Sequence, residues 1–197
     1  SITVSFNGDD VVLDSGTGLY FGNVKWRNSS RSESSHSGIS SSKGSWGQIR
    51  NLFEIPNPPI GKIEALGDYV LMSCIHPVAG LFRRNIRVKE DGIEISDILE
   101  GSDPLITFIV PNEVEINADE DCVQINGKNW VIEHDLNDGK LHFSDSERGE
   151  PELMKPKDGE CIISEGYGNF SIAKKVVIEH SGKQASTKIG FIGPVYS

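Results

Sequence analysis

Residues 85–96, with the sequence Asn-Ile-Arg-Val-Lys-Glu-Asp-Gly-Ile-Glu-Ile-Ser, decide the fold class of this chain. Apolar and polar residues alternate through Ile86 and Val88, and the alternation resumes through Ile93 and Ile95 after a break at Glu-Asp-Gly. A period of two places successive side chains on opposite faces of a strand. The Asp-Gly pair tolerates the positive backbone φ angles of a tight turn, so the stretch predicts a hairpin of two antiparallel strands.

The same alternation recurs along most of the chain, whereas apolar residues at sustained helical spacing are hard to find. Asn126-Gly127 predicts a second hairpin on the same grounds. Many short strands, each with one apolar face, bury their area best as two packed sheets. We therefore predict an all-β fold, an antiparallel β-sandwich of many short strands that forms a single domain over residues 1–197. The predicted strands cover residues 2–6, 11–14, 48–55, 62–65, 69–75, 81–89, 92–99, 105–110, 113–117, 122–125, 130–134, 141–144, 161–165, 171–179 and 188–192.

Composition argues against several classes of function. The net charge of −10 is unsuited to a general nucleic-acid binder, which needs clustered Lys and Arg to neutralise phosphates. No run of eighteen apolar residues is present, so we expect no membrane insertion. The three cysteines lie far apart and have no CxxC spacing, which predicts neither a disulfide framework nor a thiolate metal site.

Charge is unevenly distributed. Residues 23–50 contain five basic residues and one acidic residue, a local charge of +4 that leaves −14 for the remainder. Such a patch suits an anionic ligand bound at one place, although ordinary charge scatter on a solvated loop explains it equally well. Residues 29–45 are rich in serine, and we expect an ordered or partly ordered functional loop there, with a flexible linker as the alternative.

Residues 12–20 and 27–36 contain several side chains that are able to bind a ligand. Asp14 offers a carboxylate and His36 an imidazole. Arginine binds carboxylates in a bidentate manner, which makes Arg27 and Arg31 candidates for binding an acidic ligand, with Tyr20 beside them. From the residues alone, a turn-capping Asp14 and a surface His36 remain open alternatives.

The two segments resemble the opening of the C-terminal β-sandwich of heparinase II/III-like polysaccharide lyases. That family typically reads Asp-Pro-Gly-Thr…Tyr…Arg…Arg-Ser-Thr-Ala-Ala-His-Asn-Thr, and here Ser15 replaces the proline while Ser37-Gly38 replace the Asn-Thr. Residues 81–101 are similar to the family's strand pair, His-x-Arg-x-Ile/Val followed by Gly-x-x-Ile-x-Asp-x-Ile/Leu-x-Gly, with Phe82 where histidine is common. Residues 164–168 look like its late Tyr-Gly turn.

The resemblance implies a function. Such lyases cleave uronic-acid polysaccharides by β-elimination, and an N-terminal helical toroid of the same parent protein supplies most of the catalytic groups. It implies that Asp14 and His36 are two ligands of a zinc ion whose remaining histidine lies just upstream of Ser1, so the zinc site is incomplete in this chain. It also implies that Tyr20, Arg27 and Arg31 line the groove for an acidic polysaccharide.

On this interpretation the chain carries no catalytic residue of its own and is inert in isolation, and the toroid and the polysaccharide are its partners. The expected location is periplasmic or secreted, in a bacterium. A non-catalytic carbohydrate-binding module or a structural sandwich module is the alternative.

Overall fold

The computed structural model describes residues 1–16, 24–44, 54, 57–137, 139–143, 159–166 and 169–192. A seven-residue helix, α1 (Val24–Ser30), and a single 3-10 turn (Glu33–Ser35) interrupt a chain that is otherwise built of strands over these residues. In chain order the strands are β1 (Val4–Phe6), β2 (Asp9–Val12), β3 (Gly38–Ser41), β4 (Ile60–Leu66), β5 (Tyr69–His76), β6 (Gly80–Lys89), β7 (Gly92–Leu99), β8 (Pro104–Pro111), β9 (Glu115–Ala118), β10 (Cys122–Asn126), β11 (Trp130–Asp135), β12 (Lys140–Phe143), β13 (Glu160–Gly166), β14 (Asn169–Glu179) and β15 (Gln184–Phe191).

These strands form two large antiparallel sheets and a short hairpin. The larger sheet has eight strands in the order β4-β5-β6-β7-β15-β11-β10-β9. The smaller has the order β12-β14-β8-β3, and β13 also pairs with β14. The hairpin consists of β1 and β2. The predicted all-β antiparallel sandwich is therefore confirmed.

The core lies between the two sheets and is almost entirely aliphatic. Phe108 and Ile178 from the smaller sheet belong to the same buried cluster as Ile95, Ile132 and Ile189 from the larger one. Burial of this apolar surface is the dominant favourable contribution to folding. The β1–β2 hairpin joins the cluster, since the ring of Phe6 stacks on that of Phe191 with centroids 4.0 Å apart.

The two predicted hairpins form, but the reason given for their glycines is wrong. Lys89 pairs with Gly92 across a two-residue turn, yet neither Asp91 nor Gly92 has a positive φ angle. A Cβ atom on Gly92 would lie 2.1 Å from the carbonyl oxygen of Ile189, so glycine is required there by the close approach of β15. At Gly127, which also lacks a positive φ angle, the added Cβ would lie 2.2 Å from the Trp130 ring.

The positive φ angles occur instead in the β1–β2 turn. Asn7 has φ +50° and Gly8 has φ +84°, and the pair separates Phe6 from its partner Asp9. Two consecutive positive φ angles at Asn-Gly are typical of a two-residue hairpin loop. This turn, which the strand predictions left without comment, uses the conformational freedom of asparagine and glycine at two consecutive positions.

The serine-rich segment contains regular structure that the alternation did not predict. Strand β3 pairs with β8, placing Ile39 opposite Ile106, and α1 and the 3-10 turn precede it. Serine has a low strand propensity, and Ser40 and Ser41 are nevertheless buried in this sheet. The predicted strand 48–55 lies outside the described residues except for Glu54, which belongs to no element.

Over the described residues, no helix combines the length and apolar character needed to cross a membrane.

Candidate metal and saccharide site

The structure brings Asp14 and His36 into direct contact. Asp14 follows β2 and Leu13, whose backbone N–H donates to the Ile109 carbonyl at 2.8 Å, and His36 follows the 3-10 turn. Both carboxylate oxygens of Asp14 lie close to His36 Nδ1, at 3.0 and 2.9 Å. Each side chain is 27% exposed, so the pair sits at the protein surface without being fully solvated.

The electrostatics of the pair favour an ionised carboxylate. Partial burial alone would raise the pKa of Asp14, but hydrogen bonds from His36 and from the Gly16 backbone N–H outweigh it and lower the pKa to about 2. A carboxylate that is ionised at neutral pH accepts a hydrogen bond from His36 Nδ1–H, which leaves Nε2 as the nitrogen with a free lone pair. Nε2 makes no hydrogen bond within the described part of the chain, so it is available to a ligand.

The capping role considered for Asp14 is present at the same time. The Gly16 N–H donates to Asp14 Oδ1 at 3.0 Å, which closes a tight turn after β2. Gly16 has φ +62°, and a Cβ there would lie 2.8 Å from the Ser164 carbonyl oxygen. The turn therefore needs glycine for two reasons, and it fixes the direction of the Asp14 carboxylate.

Ser37 ties the two segments of the site together. Its hydroxyl donates to the Leu13 carbonyl at 2.7 Å and accepts from the Ile109 N–H at 2.8 Å, and the side chain is fully buried. The backbone of Leu13 adjoins Asp14, and Ser37 adjoins His36. One hydroxyl thus holds the residue before Asp14 and the residue after His36 against the same strand, β8.

A second carboxylate–imidazole pair anchors the turn that carries His36. Glu33 Oε2 lies 2.9 Å from His76 Nε2, and the two side chains are only 8% and 3% exposed. His76 Nδ1 accepts the backbone N–H groups of Val78 and Ala79, at 3.1 and 2.9 Å, so Nε2 carries the proton and donates to Glu33. Both ring nitrogens are engaged, and the pair fixes the 3-10 turn to the end of β5.

These groups surround a cavity of about 470 Å³ between the start of the chain and the inner face of β4, β5 and β6. His36, Glu33 and His76 line one side of it, and Cys74 and Arg84 line the sheet side. Burial, followed by the charge of Glu33, raises the pKa of the Cys74 thiol, so this cysteine stays neutral. The cavity therefore has two paired imidazoles on one wall, and Lys62, Arg83 and Arg84 belong to the other.

Arg84 is held by a buried ion pair with Asp97. The two residues are directly opposite each other on β6 and β7, and their side chains form two hydrogen bonds of 2.7 and 2.8 Å. Both residues belong to the strand pair that resembles the family pattern. Arg84 occupies the arginine position of that pattern, and Asp97 occupies its aspartate position. The pattern thus encodes a bidentate cross-strand pair, the strongest geometry for an Arg–carboxylate contact.

The predicted saccharide-binding residues are only partly placed. Arg27 lies in α1 and is half-buried, and its guanidinium donates to Asn28 Oδ1 at 3.1 and 3.3 Å; it has no carboxylate partner among the described residues. Arg31 is half-buried in the turn after the helix. Neither arginine lines the cavity, and Tyr20 lies outside the described residues.

The donor set supplies part of a zinc site. Within the described ranges, no three His, Cys, Asp or Glu side chains converge as they would around a metal ion. Asp14 and His36 offer one oxygen and one nitrogen at the right separation from each other, whereas structural zinc has four ligands and catalytic zinc has at least three from protein. The two residues therefore fit the zinc-binding role that the resemblance implies for them, as two ligands of a larger set.

Residues 1–191 match the family model described as heparinase II/III-like, C-terminal. A search of curated protein sequences returned no significant match.

Three solved structures share the fold at low sequence identity. The heparinase III BT4657 gene product is 18% identical, with a TM-score of 0.64 over 98% of this chain and 29% of that one. Heparan sulfate lyase HepC from Pedobacter heparinus is 14% identical, with a TM-score of 0.61 over 96% of this chain and 30% of that one. A further heparinase III is 16% identical, with a TM-score of 0.58 over 97% of this chain and 29% of that one.

The chain thus spans less than a third of the length of these structures. The family match covers nearly all of its residues and includes Asp14, His36, Arg84 and Asp97. The chain belongs to the heparinase II/III-like family, as a C-terminal domain.

Proposed function

We propose that this chain is the C-terminal sandwich of a lyase that cleaves a uronic-acid polysaccharide by β-elimination, and that it contributes Asp14 and His36 to a zinc site beside the substrate cleft. The contact of Asp14 with His36, on the rim of a cavity that also holds Arg84, carries the proposal. Family membership and the polysaccharide lyases among the structural matches support it.

The chemistry assigns limited roles to this chain. In β-elimination the uronate carboxylate is neutralised, a base removes the C5 proton, and an acid protonates the leaving O4. An Asp14 oxygen and His36 Nδ1 lie 2.9 Å apart, so these two atoms would bind the same ion once Nδ1 has released its proton, with Nε2 on the far side of the ring. Zinc held there would supply positive charge beside the substrate. Arg27, which lacks a carboxylate partner among the described residues, is suited to pairing with an acidic sugar, with Arg31 and Tyr20 as further candidates.

No proton-transfer residue is assigned to this chain. His76 has both ring nitrogens engaged and is buried, which leaves it unable to exchange protons with a substrate. The proposal therefore places the acid, the base and the remaining zinc ligand in the rest of a longer parent protein. By itself the chain should not turn over heparan sulfate, alginate or glucuronan, as followed by the ultraviolet absorbance of the unsaturated product.

Zinc titration of the chain tests the site, by calorimetry on the wild type and on Asp14→Ala and His36→Ala. Weak zinc binding to the wild type should be lost in both variants. His142→Ala is the matched control. Like His36, His142 contacts a carboxylate, that of Glu179, at 2.9 Å, but it lies on β12 and does not belong to the proposed zinc site. Equal zinc binding by the wild type and His36→Ala would contradict the proposed site.

The parent protein gives the decisive measurement of function. A parent carrying His36→Ala should lose most of its elimination activity, whereas His142→Ala should retain it. Equal activity of both variants would remove His36 from the functional site. An absence of elimination activity from the unaltered parent on all three polysaccharides would favour a binding or structural module instead.

A further inference from the structure

The outer face of the larger sheet carries a groove that the proposed zinc site does not involve. It measures about 650 Å³ and crosses β4, β5, β6, β7 and β15. Its floor consists of two neighbouring rows of side chains in direct cross-strand register. The first row is Lys62, Ser73, Arg83, Ile98 and Gln184, and the second is Glu64, Leu71, Asn85, Ser96 and Ser186. We refer to these ten residues as the outer groove.

The side chains of the outer groove lie on the sheet face opposite to the cavity at His36, although Lys62, Ser73 and Arg83 line both. Phe82 and Arg84 of β6 point into the sandwich and are buried, so the alternating residues Arg83 and Asn85 point to the opposite face. Five strands spaced by about 4.8 Å give the groove a length of roughly 19 Å. A shallow depression of that length suits an extended chain molecule better than a compact metabolite.

The rows beside the groove form its two rims. On one side, Ile60 and Ile75 are paired across β4 and β5 and are 71% and 53% exposed. On the other side, Arg87, Glu94 and Lys188 form a row of long charged side chains. Between them the floor is low because most of its side chains are short or uncharged. An exposed sheet face without a ligand ordinarily carries long charged residues throughout, as the charged rim does.

The chemistry of the floor points to a polyhydroxylated, acidic ligand. Serine hydroxyls and the amides of Asn85 and Gln184 can donate and accept hydrogen bonds with sugar hydroxyls. Asn85 Oδ1 is shielded from solvent and has no partner among the described residues, an arrangement that costs about 1–3 kcal/mol unless a ligand or water supplies a donor.

The two cations of the floor are suited to binding a carboxylate-bearing sugar. Lys62 pairs with Glu64 at 2.6 Å and Arg83 with Glu100 at 3.0 Å, and the buried Arg84 and Asp97 beneath them neutralise each other. Both pairs are exposed, and exposed ion pairs contribute little to stability, so a ligand carboxylate can replace either partner. Exposed Ile60 and Ile75 provide an apolar rim for the C–H faces of sugar rings.

We propose that the outer groove is an accessory binding site for an acidic oligosaccharide, which holds the polymer on the face of the sheet opposite to the cavity at His36. Arg83 contacts a uronate carboxylate, and Asn85, Ser96 and Ser186 contact sugar hydroxyls. The proposal goes beyond the zinc site and stands whether or not Asp14 and His36 bind a metal.

The test uses the chain itself and a heparan sulfate hexasaccharide, with cellohexaose as the uncharged probe of equal length. Backbone amide signals of β5, β6, β7 and β15 should shift in the NMR spectrum when the acidic hexasaccharide is added, and much less with cellohexaose. Arg83→Gln should weaken binding about tenfold, the effect of losing one hydrogen bond to a charged group. Ser96→Phe, which fills the floor, should abolish it.

Arg87→Gln is the matched control. Arg87 lies on the same strand and the same face, and like Arg83 it has one exposed carboxylate partner, Asp68 at 3.1 Å against Glu100 at 3.0 Å. It lies in the charged rim, so Arg87→Gln should bind like the wild type. Equal weakening by both arginine variants would indicate general charge attraction and overturn the proposal.

Two further outcomes would also overturn it. Absence of binding by the wild-type chain would exclude an accessory site. Binding that is lost in His36→Ala and unchanged in Arg83→Gln would place the saccharide in the cavity at His36 alone, which would leave the proposed function intact. Retention in His36→Ala together with loss in Ser96→Phe, at a residue that lines the outer groove and not the cavity, would support the outer groove.

Discussion

Two of the imidazole pairs in this molecule differ in almost every physical respect. The rim pair, Asp14 and His36, is partly exposed and joins an acid to a base. The core pair, His134 and His180, is almost fully buried, with the two Nε2 atoms 2.8 Å apart, and no carboxylate of the described residues is hydrogen-bonded to either ring. His134 Nδ1 also contacts the Thr187 hydroxyl at 2.7 Å.

The difference shows how burial and partner decide what a histidine does. In the core pair one ring must donate and the other accept, so both stay neutral and join the two sheets, since His134 lies on β11 and His180 follows β14. In the rim pair the Asp14 carboxylate is ionised, and His36 Nε2 makes no hydrogen bond within the described residues. We expect the core pair to govern stability and the rim pair to govern ligand binding.

The largest expected effect is the loss of stability in His134→Ala. Removing this ring leaves a cavity beside Phe108 and leaves Thr187 and His180 without a hydrogen-bond partner. We expect a loss of about 3–5 kcal/mol in the free energy of unfolding, as for other large buried side chains. Urea unfolding measured by circular dichroism gives this value, and His36→Ala should lose less than about 1 kcal/mol. A larger loss in His36→Ala than in His134→Ala would contradict the assignment of stability to the core pair.

The second prediction concerns acid. Burial, followed by the neighbouring His180, lowers the pKa of His134 from 6.5 to about 3, and the pKa of His180 is also lowered. Between pH 6.5 and 3 the unfolded chain takes up a proton at His134 that the folded chain does not. Stability should therefore fall as the pH falls through this range, by about 1.4 kcal/mol per pH unit for a single such group.

Unfolding free energies measured at several pH values will show this slope. In His134→Gln the slope between pH 6.5 and 4 should be shallower, whereas in Asp14→Asn it should be unchanged. An unchanged slope in His134→Gln would mean that the core pair does not control acid sensitivity.

Third in size is the effect of Gly16→Ala on the rim pair. Alanine at φ +62° costs about 1–2 kcal/mol, and the added Cβ would also press on the Ser164 carbonyl oxygen 2.8 Å away. We expect a total loss of about 2 kcal/mol, together with weaker zinc binding because the Asp14 carboxylate is displaced. Gly8→Ala is the control, since Gly8 has φ +84° but no atom within 4 Å of the added Cβ. Equal losses in the two variants would mean that the contact with Ser164 is unimportant.

The smallest expected effect is that of Asp14→Asn on stability. Burial opposes ionisation of Asp14, yet its hydrogen bonds lower its pKa from 3.8 to about 2, so its stabilising contribution is complete above pH 3.8 and is lost as the pH falls to 2. After allowance for solvent screening of this partly exposed group, we expect a loss of about 1 kcal/mol at pH 7. The variant should differ from the wild type above pH 4 and converge with it near pH 2, which acid titration of the unfolding transition would measure.

Much of the fold was predictable because alternation along a strand is a local property. Predicted and observed strands agree closely from β4 to β11, and β6, β7, β10 and β11 among them alternate between buried and more exposed residues. Strand β3 was missed because neighbouring strands bury Ser40 and Ser41, and a serine-rich sequence carries no apolar periodicity. Of the two hydroxyls, that of Ser41 donates to the Ser102 carbonyl at 2.8 Å. The single-domain assignment over residues 1–197 includes residues outside the described ranges and stays a prediction.

The candidate site was predictable in part, and only through resemblance. The proximity of Asp14 and His36, 22 residues apart, was predicted from the family pattern and is present in the structure. The Glu33–His76 pair and the Ser37 hydroxyl were missed, because partners 43 and 72 residues apart leave no local signal. Zinc binding and the saccharide roles of Tyr20, Arg27 and Arg31 stay predictions.

The position of β15 has a consequence for the order in which this protein can fold during synthesis. Strand β15 (Gln184–Phe191) pairs with β7 on one side and with β11 on the other, so it joins β4–β7 to β9–β11. Until the ribosome has released these residues, the two groups of strands each keep an open edge, and such edges recruit other chains. Nascent chains should therefore be most prone to aggregate after β11 is made and before β15 emerges, and a chain shortened before Gln184 should keep that weakness permanently.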